Sequence, residues 1–131
     1  MKVGLLIIAH HPLGEAILKT AVETLGHSPM PTRVLSVTRD KERDLQIQQA
    51  RQYADELDSG DGLLVLTDIF GSTPSNIACS LRDKQGVQVV AGLNLPMLIR
   101  VFNYADLELN ALVEKALSGG KDGVIAACDA L

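Results

Sequence analysis

The sequence predicts an α/β protein with three layers around a mostly parallel, doubly wound sheet of about five strands. Three observations carry that prediction. Val3 to Ala9 is an unbroken apolar run containing β-branched residues, short enough for a strand and far too short to cross a membrane. A strand apolar on both faces needs cover on both faces, as in the middle of a parallel sheet. Further short apolar runs then alternate with segments of helical period, the pattern of successive βαβ units.

The elements follow in order. Pro12 suits the first turn of a helix, where its missing N–H costs nothing. Leu13, Ile17, Ala21 and Leu25 recur every four residues, and Gly26 is a natural stop. A loop with Pro29 and Pro31 leads to a strand over Arg33 to Val37. Asp40 is expected to cap a second helix, with Ile47, Ala50, Ala54 and Leu57 on one face and a solvated face of Arg, Gln and Asp. Asp58 to Gly62 is turn chemistry, followed by a fully apolar strand from Leu63 to Leu66. Thr73 reads as the cap, and Pro74 as the first residue, of a third helix. Val87 to Ala91 is a fourth strand. Met97 to Tyr104 and Leu107 to Leu117 read as helices, with Gly119 and Gly120 closing the second, and Val124 to Cys128 is expected to form a last strand.

The order β-α-β-α-β-α-β-α-β, with right-handed crossovers, implies a flavodoxin-like strand order. Its switch point lies beside the first strand, so the turns after the first and third strands face one another across a crevice. That arrangement puts His10 near Asp68 and near the Ser72-Thr73 turn.

Composition bounds the function. A chain of 131 residues suits one domain, and no linker, repeat or low-complexity segment divides it. With aromatics at 3% and no Trp, the core has to be built from Leu, Val, Ile and Ala. A net charge of −4 gives no support to nucleic-acid or anionic-membrane binding and suits a basic protein partner. Cys79 and Cys128 form neither a metal pair nor a disulfide framework, so both are expected as buried free thiols in a reducing cytoplasm. No signal peptide or long apolar helix is present. Dinucleotide, Walker-type, metal-ligand and nucleophile-elbow motifs are all absent, so neither a metal nor a cofactor is expected.

What remains is a constellation around the first strand. Imidazole acts as a nucleophile when one ring nitrogen is unprotonated and a carboxylate fixes the other. His10 and Asp68 are placed for those roles. Gly71, Ser72 and Thr73 offer hydroxyls and amides at a helix start, which favour an anion. Each feature alone is an ordinary cap or turn. Together they point to covalent attachment of a phosphoryl group to histidine. His11 competes for the same role, since strand alternation sends its side chain opposite to that of His10 and leaves open which one enters the crevice. His27, past the Gly26 stop, reads as a surface loop residue.

The segments VGLLIIAHHPLGEAILKTA, GLLVLTDIFGSTPSNIA, VVAGLNLPMLIRVF and the closing GKDGVIA resemble, over essentially the whole chain, the IIA domain of the mannose-type (mannose/fructose/sorbose) phosphoenolpyruvate-dependent sugar phosphotransferase system (PTS). The resemblance implies a single domain over residues 1–131 that acts as a phosphotransferase component with a phosphohistidine intermediate. By its pattern His10, not His11, takes a phosphoryl group on Nε2 from the phosphorylated carrier HPr and passes it to a IIB component. Asp68 matches the acid that orients the ring, and Gly71, Ser72 and Thr73 stand at the phosphoryl-binding turn. Asn94 and Pro96 match a loop close to the same crevice. His11, Leu13, Ile69 and Phe70 are expected on the rim that partners meet. The family's homodimers exchange a C-terminal strand, so Val124 to Cys128 is expected to pair with a second subunit, and the membrane is reached only through permease components.

One departure stands out: His11-Pro12 follows His10, where the family commonly has Gly. The chain also stops after its last predicted strand, so a IIB acceptor is expected as a separate protein or not at all. Two alternatives follow: a regulatory module whose phosphorylation state is read without sugar transfer, and the phosphoryl-donor subunit of dihydroxyacetone kinase.

Overall fold

A computed structural model describes residues 2–130. The elements are β1 (Gly4–His10), α1 (Leu13–Leu25), β2 (Thr32–Val37), α2 (Arg43–Leu57), β3 (Leu63–Thr67), α3 (Thr73–Cys79) with a 3-10 turn over Ser80–Asp83, β4 (Val87–Ala91), α4 (Leu95–Asn103), α5 (Leu109–Asp122) and a final turn of helix, α6 (Ala127–Ala130). The sheet is parallel with order β2-β1-β3-β4, the flavodoxin-like order without its last strand.

β1 is central because its sequence allows nothing else. Leu5, Leu6, Ile7 and Ile8 are all fully buried, and each contributes about 1.5–3 kcal/mol of burial. Their side chains alternate between two cores. Leu5, Ile7 and Ala9 join Leu64, Leu66 and Val90 under α1, α4 and α5. Leu6 and Ile8 join Leu35, Val37 and Val65 under α2 and α3. In register, Ile7 lies between Val34 and Leu66, and His10 lies opposite Val37, so the ends of β1 and β2 open on the same edge.

Two helix starts differ from expectation by a small shift. α2 begins at Arg43 with Glu42 in the cap position, so Asp40 caps nothing and sits in the preceding loop. α3 includes Thr73 as its first residue, with Ser72 in the cap position. The Ser72 hydroxyl donates instead to the Ile69 carbonyl, at 2.7 Å, and tightens the turn before the helix.

Gly119 and Gly120 do not end α5. They lie inside it because α4 approaches too closely for a side chain: a Cβ on Gly119 would sit 2.7 Å from Arg100 Cβ, and one on Gly120 would sit 2.8 Å from Met97 Cε. The same contacts show that α5 runs antiparallel to α4. Its first residue, Leu109, meets Gly62 at the start of β3, and its end meets Asn94 and Pro96 at the start of α4. The chain therefore leaves α5 at the carboxyl edge of the sheet. A strand parallel to the other four would have to start from the amino edge, whereas one running antiparallel would not. Within the single chain Val124 to Cys128 forms no strand: residues 124–126 have no regular structure and α6 follows. Val124 and Ile125 are left largely exposed.

The thiols also differ from expectation. Cys79 and Cys128 are both exposed, because Cys79 falls off the Ile77, Ala78 and Leu81 stripe that α3 and its following turn bury.

Candidate active site

The site forms where β1 and β3 end side by side. Asp68 directly follows β3 and is 9% exposed. Its Oδ2 accepts the His10 backbone amide at 3.0 Å and lies 2.8 Å from His10 Nδ1, while Oδ1 accepts the Ile69 amide at 3.0 Å. Burial pushes this carboxyl upward, but the His10 amide, the His10 ring and the Ile69 amide together outweigh it and hold it below the ordinary carboxylate range. An ionised carboxylate only accepts hydrogen bonds, so Nδ1 is the donor. The ring is thereby left with Nε2 as its basic nitrogen, and its side chain is half exposed.

His10 lines a cleft of about 480 Å³ together with Ser72 and Thr73 at the start of α3 and with Val37, Thr38 and Gln46. The juxtaposition expected from strand order is present: His10, Asp68, Ser72 and Thr73 converge. Gly71 holds φ +87°, a left-handed conformation that lets the chain turn sharply between Phe70 and Ser72. The Ser72 amide and hydroxyl both donate to Ile69, so Ser72 offers its position rather than a free donor. Thr73 is exposed at the cleft, and its amide has no acceptor among the described residues.

His11 turns the other way. Its Nδ1 lies 3.4 Å from Glu15 Oε2 on α1, and the residue is exposed outside the cleft lining. Leu13, Ile69 and Phe70 are exposed apolar side chains near this edge, Phe70 at 83%.

Asn94 and Pro96 do not line the His10 cleft. Asn94 caps α4 by accepting the Met97 amide at 2.9 Å, and its amide donates to the Gly92 and Gly120 carbonyls. Pro96 packs beside Gly123 at the end of α5. Both hold the α4–α5 pair in place.

The opposite wall of the cleft was not anticipated. Arg39, Lys41 and Arg43, from the β2–α2 loop and the start of α2, line it. A signal for them existed: β2 neighbours β1 in the flavodoxin-like order, so the loop after β2 opens beside His10, and it carries three cations in five residues. Among the described residues no group of His, Cys, Asp and Glu could hold a metal ion, and no helix is long and apolar enough to cross a membrane.

Fold and site together define a doubly wound α/β protein with an oriented, half-exposed histidine at the carboxyl edge of its sheet. Residues 4–117 match the family model described as the PTS system fructose IIA component. The chain is 32% identical over 129 residues to the mannose-specific EIIAB component of the PTS from Escherichia coli K12, covering 96% of this chain and 40% of that protein. It thus spans well under half the length of that relative. The mannose/sorbose-specific IIA subunit from Enterococcus faecalis superposes with a TM-score of 0.80 at 26% identity, covering 96% of this chain and 95% of that one. A PTS IIA protein associated with the fucose utilization operon of Streptococcus pneumoniae shares the fold, with a TM-score of 0.85 at 24% identity over 98% and 96% of the two chains. The chain belongs to the mannose-type family of PTS IIA components.

Proposed function

We propose that this chain is a phosphocarrier, a phosphotransferase component that accepts a phosphoryl group on Nε2 of His10 from phosphorylated HPr and hands it to a IIB component during sugar uptake. In each step one N–P bond forms as the bond to the donor breaks, and no water is consumed. The observation that carries this reading is the Asp68 carboxylate 2.8 Å from Nδ1, which makes Nε2 the nucleophile and offsets the positive charge that phosphorylation brings to the ring. Family membership supports it, and so does Thr73 beside His10 in the cleft. The exposed Leu13, Ile69 and Phe70 fit a rim on which a partner protein docks. The setting is the cytoplasm, with the membrane reached only through permease components. A homodimer in which the exposed Val124–Ile125 segment meets a second subunit completes the reading.

The experiment is incubation with phosphoenolpyruvate, the general PTS enzyme and HPr. Acid-labile label is expected on the native chain and on His11→Ala, and none on His10→Ala. Undiminished label on His10→Ala overturns the assignment.

A further inference from the structure

The loop after β2 alternates in sign residue by residue: Arg39, Asp40, Lys41, Glu42, Arg43, Asp44. The fold sorts these charges. Arg39, Lys41 and Arg43 line the cleft that His10 lines, and no carboxylate lines it with them. Asp40 and Glu42 instead border a separate groove with Leu45 and Gln49, which Lys41 also lines, so Arg39 and Arg43 face the His10 cleft alone and Lys41 borders both. None of the three cations is ion-paired among the described residues, although Lys2, Arg33, Arg51, Lys84 and Arg100 all are. The loop is also anchored. Gln46, 4% exposed, accepts the Thr38 amide at 3.2 Å and donates to the Lys41 carbonyl at 3.3 Å, clamping both ends of the segment that bears Arg39.

Three unpaired cations around one concavity repel each other, and an anion of higher charge relieves that repulsion. Guanidinium groups match the oxygens of a phosphoryl group in a fork geometry that an ammonium lacks. We propose that Arg39, Lys41 and Arg43 form a phosphoryl-dianion subsite in the cleft shared with His10. The subsite deepens the phosphocarrier reading and takes its purpose from it, holding the group as it reaches or leaves the imidazole. Binding of a free dianion there does not require His10 to be phosphorylated.

The test is a titration of the ¹⁵N-labelled chain with inorganic phosphate, with sodium chloride adjusted to hold ionic strength constant. Saturable amide shifts over Thr38–Arg43 and at Thr73 are expected in the native chain. Arg39→Gln/Lys41→Gln/Arg43→Gln is expected to weaken the apparent affinity at least about tenfold, with Arg43→Lys retaining part of it. If the triple variant melts early, Arg39→Gln and Arg43→Gln singly carry the comparison, each expected to weaken binding about threefold. Prior phosphorylation of His10 is expected to abolish binding of free phosphate, which separates the two sources of the dianion. Non-saturating shifts, or shifts unchanged in the variants, overturn the subsite. If phosphate binds saturably while HPr fails to label His10, the carrier reading falls and the subsite stands.

Discussion

Asp68 grips His10 twice with one oxygen, through the backbone amide at 3.0 Å and through ring Nδ1 at 2.8 Å. The first contact fixes where the last residue of β1 lies, and the second fixes how its ring is turned and which tautomer it adopts. A single carboxylate thus couples strand pairing to chemistry.

Replacing Asp68 by Asn keeps the shape but removes the charge and lets the ring adopt the wrong tautomer. The rate of His10 labelling by phosphorylated HPr is expected to fall by about 10²–10⁴-fold in Asp68→Asn. Rapid-quench labelling measures it, and a fall of less than threefold removes Asp68 from its positioning role.

Acid should loosen the same contact. Because the carboxyl of Asp68 is held below its unfolded value, its contribution to stability is complete above the ordinary carboxylate range near 4 and is lost as pH falls through the lower folded value. Urea unfolding between pH 7 and pH 2 should show native stability declining over that window. In Asp68→Asn the decline should be shallower, starting from a stability lower by about 1–3 kcal/mol at pH 7.

The α4–α5 contact leaves no room for a side chain at Gly119. Gly119→Val places branched carbon where Arg100 Cβ already lies and should cost about 1–3 kcal/mol. For a chain of this length that corresponds to a melting temperature lower by roughly 3–12 °C. Differential scanning calorimetry reads it, and an unchanged melting temperature contradicts the close packing.

Charge placed on the exposed tail should act on assembly rather than on the fold. Val124→Asp/Ile125→Asp is expected to shift the proposed dimer to monomer in light scattering, with far-ultraviolet circular dichroism and melting of the remaining core preserved. A variant that remains dimeric moves the subunit interface away from this segment.

Cys79 should react with a thiol reagent in the native state within minutes, since α3 presents it to solvent. Protection until unfolding, as for a buried thiol, is the contrary outcome.

The middle of the sheet was legible because β1 and β3 are short apolar runs whose burial decides their state, while β2 and β4 are part-exposed edge strands, and β1 is read within a residue of its observed span. The meeting of His10 with Asp68 was legible for a topological reason: the order β2-β1-β3 leaves few other neighbours for the end of β1. What was misread depends on partners that no local window contains. Gly119 and Gly120 look like a stop until α4 is packed against them. Val124 to Cys128 has the composition of a strand, but two consecutive helices after β4 deliver it to the wrong edge for a parallel one. Arg39, Lys41 and Arg43 look like an ordinary solvated loop, because only the folded chain brings all three to the cleft that His10 lines while Asp40 and Glu42 stay out of it.

The reversal of direction at α4 and α5 has a further consequence. A single helix after β4 would have returned the chain to the sheet's amino edge, away from His10. The helical hairpin instead brings residue 122 out on the reactive edge. On the phosphocarrier proposal, any polypeptide tethered beyond it starts its search on the side where His10 exchanges phosphate, and a short tether of that kind keeps an acceptor at an effective concentration of order millimolar. The same exit suits a partner that arrives untethered, since the emerging segment then borders the docking edge and not the far end of the molecule. The pairing of α4 with α5 thus sets where the chain leaves the sheet.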